Sequence, residues 1–109
     1  MNTKASKNNT LSFNEQCYQL LMLIPKGQVT TYKAMAEALN TKAYQAVGNA
    51  MANNPNPISV PCHRVVNQGG KIGNYAFGID KKIALLQSEG LEIKNGLIQH
   101  FDQVFFDFK

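Results

Sequence analysis

The chain has 109 residues, of which 44% are hydrophobic and 17% charged, so it has room for one globular domain with a modest core, which excludes a two-domain enzyme. Its net charge of +4 favours a polyanionic partner such as a nucleic acid without identifying one. No apolar run reaches the ~20 residues of a membrane span and no leader pattern is found, so we expect a cytoplasmic protein without a membrane partner.

The first ten residues are polar and lack apolar periodicity, which predicts a flexible lead-in at 1–10 before a single domain at 11–109. Ser12 followed three residues later by Glu15 is the capping-box pattern of a helix start. The apolar residues that follow fall on one helical face: Phe13, Cys17, Leu20, Leu21 and Ile24. Cys17 at this spacing is interpreted as a core residue.

Two short helices joined by a tight turn are predicted next. The segment QVTTYKAMAEALN predicts a helix with a threonine N-cap at position 30 or 31, and TKAYQAVGNAMANNP predicts a second helix capped by Thr41. Together they are a helix-turn-helix candidate. The second helix carries small residues at Ala43, Ala46, Gly48 and Ala50. Such residues suit either close helix packing or close approach to a nucleic acid, and periodicity does not decide between the two.

The C-terminal part of the chain combines a loop, a short extended pair and a helix. NNPNPISVP is typical of a loop, and HRVVNQGGKIGNYAFG predicts two extended pieces around a Gln-Gly-Gly turn. DKKIALLQSEG predicts a helix with Asp80 at its N-cap and Gly90 after its end. The phenylalanines of the tail are expected to close the core, and His100 is interpreted as a surface or packing residue. The predicted fold class is mainly α with a small extended wing.

Cys62 is the candidate for chemistry, because His63 and the only arginine of the chain, Arg64, follow it directly. A thiol becomes a nucleophile when a nearby positive charge or histidine lowers its pKa from ~8.5. Neighbouring side chains of an extended strand point to opposite faces, so the dipeptide alone favours a buried structural thiol. Two cysteines make a disulfide framework improbable in a reducing cell, and no Cys/His cluster has zinc spacing, so we expect no metal.

The wider pattern changes this interpretation. PCHRV, preceded by NNPNPISV and followed by GNYAFG and LLQSEG, resembles the active-site domain of the O6-alkylguanine-DNA alkyltransferases, which move an alkyl group from guanine onto their own cysteine. The similarity covers residues 11–91 and includes IPKGQVTTY and AVGNAM. It implies a winged helix-turn-helix-like domain that enters the DNA minor groove and extrudes the damaged nucleotide. It further implies a monomer that needs no cofactor, acts once and binds double-stranded DNA containing O6-alkylguanine.

Carried over by position, the resemblance makes Cys62 the alkyl acceptor and His63 a base that acts through a water molecule and is oriented by Glu89. Tyr32 would donate to guanine N3, and Asn54 would brace the active-site turn. The substrate-binding positions implied in addition are Tyr75, the carbonyl of Val65, the N–H of Ala76, and Phe77.

The DNA-binding positions implied by the resemblance are Thr31, Tyr32, Ala43, Tyr44, Gln45, Ala46, Gly48 and Asn49. A narrow groove favours a slender helix, which gives the small residues a functional reason. Gln45 stands where the family has an intercalating arginine, and we expect it to remain the finger at reduced strength. Ala76 replaces a frequent serine, and Phe77 stands where small residues are common, which predicts a narrowed alkyl pocket. The domain that commonly precedes this one in the family is expected to be missing.

The predicted function is therefore irreversible transfer of a methyl group from DNA to Cys62. The alternative is an alkyltransferase-like sensor that binds O6-alkylguanine without chemistry and recruits another repair pathway. Such sensors resemble the same domain but lack the cysteine, so the presence of Cys62, His63 and Glu89 favours the enzyme. A plain helix-turn-helix regulator leaves PCHRV without a purpose, and a cysteine peptidase lacks its usual histidine-asparagine arrangement.

Overall fold

The computed structural model describes residues 11–109, and the lead-in predicted at 1–10 lies outside them. Within the described residues the chain forms five α-helices and two small sheets, which confirms the predicted mainly α class. In chain order the elements are α1 (Phe13–Leu21), β1 (Thr30–Thr31), α2 (Tyr32–Ala38), α3 (Tyr44–Ala52), β2 (Val65–Val66), α4 (Ile79–Ser88), β3 (Ile93–Lys94), β4 (Leu97–Ile98) and α5 (Phe101–Val104). Short 3-10 turns lie at Cys62–Arg64 and Gln68–Gly70.

Two helix starts follow the capping patterns in the sequence. At α1 the Ser12 hydroxyl accepts from the Glu15 N–H at 3.0 Å, and the Glu15 carboxylate accepts from the Ser12 N–H at 2.9 Å, so the predicted capping box is present. At α2 the Thr31 hydroxyl accepts from the Ala34 N–H at 3.0 Å. Each bond satisfies a backbone donor that the helix itself leaves unpaired.

Two other predicted caps are wrong. The N-cap of α3 is Ala43, because the Thr41 hydroxyl accepts from the Ala43 N–H at 3.1 Å and so closes the preceding turn instead. The N-cap of α4 is Gly78, and Asp80 lies in the first turn. A carboxylate is favourable both at the cap and in the first turn of a helix, so the sequence pattern fits either placement.

The core consists of two clusters of buried residues. The first joins α1, α2 and α3 to the 3-10 turn at Cys62, and the second lies beneath α4 and the hairpin of β3 and β4. Cys17 is fully buried in the first cluster, where burial raises the pKa of its thiol to about 11. The predicted core role of Cys17 is therefore confirmed, since a thiol with that pKa stays protonated and unreactive near neutral pH.

The strand pairing differs from the predicted local pair around the Gln-Gly-Gly turn. β2 pairs in parallel with β1, with Thr30 opposite Val65. The carbonyl of Lys71 accepts from the Asn67 N–H at 2.8 Å, which closes the turn, and Lys71 forms an isolated bridge with Leu97 of β4. A turn motif carries information about its own backbone but none about a partner strand far away in the chain. The consequence for the site is that the start of α2 lies beside the cysteine segment.

The tail contains the antiparallel hairpin of β3 and β4, which lies later in the chain than the extended pair predicted around the Gln-Gly-Gly turn. Phe106 and Phe108 pack against the first cluster and Phe101 against the second, which confirms their predicted role in closing the core. His100 is exposed, as expected for a surface residue. No helix among residues 11–109 is long and apolar enough to span a bilayer.

Candidate functional site

Cys62 begins a 3-10 turn, is 4% exposed and lines a cavity of about 170 Å³. The other residues that line the cavity come from α2, α3 and the segment before α4: Tyr32, Gly48, Met51, Ala52, Asn74, Tyr75 and Ala76. This distinguishes the two cysteines of the chain, because Cys17 is enclosed by the core whereas the thiol of Cys62 borders a space that a small planar group can enter.

His63 and Arg64 both bind the carboxylate of Glu89. His63 Nε2 lies 3.0 Å from Glu89 Oε2. Arg64 donates from Nε to Oε1 at 2.9 Å and from Nη2 to Oε2 at 2.8 Å, and its Nη1 donates to the carbonyl of Ile24 at 2.8 Å. A two-pronged guanidinium–carboxylate pair fixes both partners in orientation as well as in distance. His63 and Glu89, 26 positions apart in the chain, are thus in contact in space, as the resemblance implied.

The charges of this cluster follow from burial and from these bonds. Burial lowers the pKa of His63, although the bond to Glu89 opposes the shift. Burial opposes ionisation of Glu89 as well, but the hydrogen bonds from Arg64 and His63 outweigh it and hold the pKa of Glu89 below its usual range. Near neutral pH, Glu89 is therefore an anion and His63 a neutral ring that donates from Nε2. Its Nδ1 has no hydrogen-bond partner among residues 11–109 and is free to accept a proton.

Two tyrosines border the cavity. Tyr32 is the first residue of α2, and burial raises its pKa, so its phenol remains a proton donor near neutral pH. Burial also raises the pKa of Tyr75, whose buried hydroxyl makes no hydrogen bond within the described part of the chain. The ring of Tyr75 meets the edge of His63 at 6.5 Å between centroids. A buried hydroxyl without a partner is available to a ligand in the cavity.

Asn54 lies in the loop before Cys62, and both ends of its side-chain amide bind the backbone of that loop. Its Nδ2 donates to the carbonyl of Val60 at 2.7 Å, and its Oδ1 accepts from the N–H of Asn56 at 2.9 Å. Ile58, at the tip of this loop, has a φ of 77°, a region that β-branched residues rarely adopt. The bonds of Asn54 therefore hold a strained loop in the one shape that places Cys62 on the cavity.

The predicted substrate-binding residues divide into two groups. Tyr75 and Ala76 line the cavity, whereas Val65 is buried in β2 and donates its N–H to the carbonyl of Cys62. Phe77 is 58% exposed and meets the ring of Tyr75 from outside, with 5.7 Å between centroids. The expectation that Phe77 narrows the alkyl pocket is corrected, since the chain turns toward solvent before Gly78 and carries the phenyl ring out of the lining.

The predicted DNA-binding residues are mostly accessible. Those exposed or half-buried on or beside α3 are Ala43, Tyr44, Gln45, Ala46, Gly48 and Asn49. Thr31 is an exception, because it is 5% exposed and its hydroxyl caps α2. A Cβ added at Gly48 would meet no atom within 4 Å, so packing within residues 11–109 does not require a glycine there. Ala50, by contrast, is fully buried and its small size serves the core.

Lys82 is a residue of the site that sequence reasoning missed. Its side chain is fully buried in α4 and its Nζ donates to the carbonyl of Asn74 at 3.0 Å. Burial lowers the pKa of Lys82 to about 8, an effect that the charge of Cys62 opposes. The available signal was its position four residues before Leu86, on the inward face of the helix. Because Asn74 lines the cavity, Lys82 supports the cavity wall from behind.

Residues 12–91 match the family model described as 6-O-methylguanine DNA methyltransferase, DNA binding domain. The chain is 43% identical over 84 residues to a methylated-DNA–protein-cysteine methyltransferase of Saccharolobus solfataricus, covering 77% of this chain and 54% of that protein. It thus spans about half the length of this curated relative.

Two solved structures are similar in fold. The O6-methylguanine-DNA methyltransferase of Pyrococcus kodakaraensis KOD1 has a TM-score of 0.68 at 46% identity, covering 78% of this chain and 50% of that one. S. pombe Atl1 in complex with damaged DNA containing O6-carboxymethylguanine has a TM-score of 0.75 at 26% identity, covering 87% of this chain and 94% of that one.

Proposed function

The chain belongs to the family of the 6-O-methylguanine DNA methyltransferase DNA-binding domain, and from that premise we propose that it repairs O6-alkylguanine in DNA by moving the alkyl group irreversibly onto Cys62. The observation that carries the proposal is the environment of this thiol. Cys62 borders a cavity, and the ring of the adjacent His63 is held by Glu89 at Nε2 with Nδ1 free. This is the nucleophile, base and orienter arrangement of an activated nucleophile.

Deprotonation of the thiol is assigned to His63. The neutral ring accepts the proton at Nδ1 through a water molecule, and the imidazolium that forms lies against the Glu89 carboxylate at 3.0 Å. Arg64 keeps Glu89 ionised and oriented, so it acts on the reaction through another residue. Lys82 holds the cavity wall through its bond to the carbonyl of Asn74.

Guanine is held and neutralised by the residues that line the cavity. Tyr75 binds the base with its unpaired hydroxyl, and the Ala76 N–H faces O6. The carbonyl of Cys62 accepts from the amino group, and Tyr32 donates to N3 as negative charge develops on the leaving base. Asn54 fixes the loop that aims the sulfur.

The bonds and the proton of the proposed transfer are accounted for without a cofactor. The S–C bond forms at Cys62 Sγ as the C–O6 bond breaks, and the proton lost by the thiol is recovered by the restored guanine. The product is a thioether that cannot leave, so one molecule performs one turnover. We propose that residues 11–109 form a single domain that acts as a monomer.

Access to the base requires that it leave the duplex. We propose that α3 enters the minor groove of double-stranded DNA and that the nucleotide turns out of the stack into the cavity. Ala43, Ala46 and Gly48 allow close approach of the helix, and Tyr44, Gln45 and Asn49 supply the longer side chains at the groove. The free space beside Gly48 supports this assignment, since the protein's own packing does not use it.

The test is intact mass spectrometry after incubation with a duplex that contains O6-methylguanine. We expect one methyl group per molecule, located by peptide mapping on Cys62 and absent from Cys17. The matched control is Cys62→Ala, which retains Cys17 and receives no methyl group. Wild-type protein that binds the duplex and gains no mass contradicts the proposal.

A second candidate function is supported by one observation. S. pombe Atl1, whose structure is a complex with damaged DNA, has a TM-score of 0.75 to this chain, against 0.68 for the methyltransferase of Pyrococcus kodakaraensis. A sensor that binds O6-alkylguanine without chemistry fits that similarity in fold. The position of Cys62 on the cavity favours the enzyme, and the mass experiment separates the two, since a sensor binds the duplex and remains unmodified.

A further inference from the structure

Tyr44 is the one tyrosine of the four in the chain that is exposed to solvent. It is 44% exposed and is the first residue of α3. Tyr18, by comparison, donates its hydroxyl to the carbonyl of Ala50 at 2.9 Å and is fixed against the core. An exposed aromatic ring on a helix start gains little for the fold and is a surface available to a partner.

Two recesses flank Tyr44. One, of about 360 Å³, is lined also by Tyr32, Lys33, Asn67 and Gln68. The other, of about 510 Å³, extends along α3 past Gln45 and Asn49. Tyr32 lines both recesses and also the cavity at Cys62. The larger recess also shares Gly48, Ala52 and Asn74 with that cavity, so Tyr44 lies in a recess that adjoins the cavity of the thiol.

The chemistry of the recesses is that of a nucleotide site. All seven Asp and Glu residues lie within residues 11–109, and none of them lines either recess. Lys33 brings a positive charge, and the two tyrosines bring aromatic faces. Aromatic rings beside a cation and amide groups are the elements with which proteins hold unpaired bases and their phosphates.

We propose that Tyr44 is the residue that occupies the gap in the base stack when the damaged nucleotide is extruded, with a flanking phosphate seated beside Lys33. This inference rests on the proposed function and replaces Gln45 in the role that the sequence analysis assigned to it. Gln45 lies ~100° further around the helix and lines only one of the two recesses. A glutamine side chain also offers no ring on which neighbouring bases can stack.

The experiment compares single-turnover transfer on a duplex with transfer on the corresponding single strand. Tyr44→Ala is expected to slow the reaction on the duplex about tenfold, the scale of one lost base–aromatic stack, and to change the single-strand rate less than about twofold. Tyr44→Phe keeps the ring and should keep the duplex rate. Gln45→Ala should slow transfer on the duplex less than Tyr44→Ala does. Met22→Ala, an exposed apolar residue outside both recesses, is the control for apolar truncation and should match wild type.

Three outcomes overturn the inference: a Tyr44→Ala variant as fast as wild type on the duplex, an equal loss on both substrates, or a Tyr44→Phe variant as slow as Tyr44→Ala. These are distinguishable from failure of the proposed function, which is the absence of methyl transfer by the wild-type protein. In that event equilibrium binding to the same two substrates replaces the rates. Tyr44→Ala must then lower the affinity for the duplex about tenfold and leave the affinity for the single strand unchanged. An unchanged affinity for the duplex overturns the inference.

Discussion

The cluster around Glu89 and the exposed face of α3 are built on opposite principles. In the cluster, His63, Arg64 and Glu89 are buried or nearly so, and the carboxylate accepts three side-chain bonds of 2.8–3.0 Å. On the α3 face, Tyr44 and Gln45 are exposed, and Gly48 leaves open space above the helix. The first region is held by bonds within the protein, apart from Nδ1 of His63, which has no partner in the described part of the chain, whereas the second region is open to a partner.

Because of this difference, substitutions in the two regions are expected to affect different properties, namely stability in the Glu89 cluster and binding on the α3 face. Side chains in the Glu89 cluster are bonded to residues far away in the chain, so their removal is expected to lower the free energy of unfolding as well as to slow the proposed transfer. Side chains on the α3 face carry little folding energy, since exposed substitutions usually change stability by less than ~0.5 kcal/mol. Substitutions in the two regions should therefore be separable by measuring unfolding and DNA binding on the same variants.

The largest effect is expected from Cys62→Ala, which should abolish methyl transfer while leaving affinity for the lesion-containing duplex within about twofold, because the thiol is needed for displacement and not for holding the base. The measurements are intact mass and fluorescence anisotropy. Equal loss of binding and of transfer would assign Cys62 to the structure of the site.

Arg64→Met tests the cluster around Glu89. Removing the guanidinium leaves the Glu89 carboxylate buried without its two-pronged partner, so the free energy of unfolding should fall by about 3 kcal/mol, as measured by urea denaturation. Lys81→Met removes an exposed cation from α4 and is the matched control. A loss below about 1 kcal/mol would mean that the cluster contributes to function without holding the fold.

Asn54→Ala should cost about 2 kcal/mol, because the carbonyl of Val60 and the N–H of Asn56 lose their partner in a strained loop. The transfer rate should fall as well, since the loop positions the sulfur. Asn56→Ala is the control, as Asn56 contributes its backbone to this network. If both variants unfold at the same urea concentration, the side-chain amide of Asn54 is not what holds the loop.

Gln45→Arg tests the α3 face. One added cation at the groove should steepen the dependence of log K on log salt by about one unit, and the free energy of unfolding should stay within ~0.5 kcal/mol of wild type. Gln103→Arg adds the same charge on α5, outside the recesses. Identical salt dependence in the two variants would show that charge at position 45 does not meet a phosphate.

The smallest effect is expected in the pH dependence of stability. His63 has a lowered pKa in the folded protein, so as pH falls below 6.5 the unfolded state takes up its proton first and the free energy of unfolding decreases. A second decrease should begin below pH 4.5, because the lowered pKa of Glu89 has the same sign. Urea titrations across this range should show that His63→Gln removes the upper step and keeps the lower one.

Local signals in the sequence were sufficient for much of the fold. The capping box at Ser12, the cap at Thr31 and the core role of Cys17 each depend on residues within one helix, and each is confirmed. The resemblance carried by PCHRV and its flanking motifs identified the family and the helix-turn-helix-like fold, and both are confirmed. The roles of individual site residues stay predictions.

What the sequence could not supply depends on contacts between distant residues. The partner of Val65 is Thr30, which no turn pattern near Val65 encodes. The inward position of Lys82 contradicts the usual exposure of lysine, and only the carbonyl of Asn74 in three dimensions explains it. Phe77 was assigned by its neighbours in the chain, but the turn at Gly78 sends it away from the cavity.

The parallel pairing of β1 with β2 has a consequence for the order of folding. It joins positions 35 apart in the chain, and Arg64 binds the carbonyl of Ile24, 40 residues earlier. Loops of this length close late, because their entropy must be lost before any contact compensates for it. A nascent chain that ends before Glu89 lacks the carboxylate that binds His63 and Arg64, so the cluster beside Cys62 can form only after Glu89 has been synthesised.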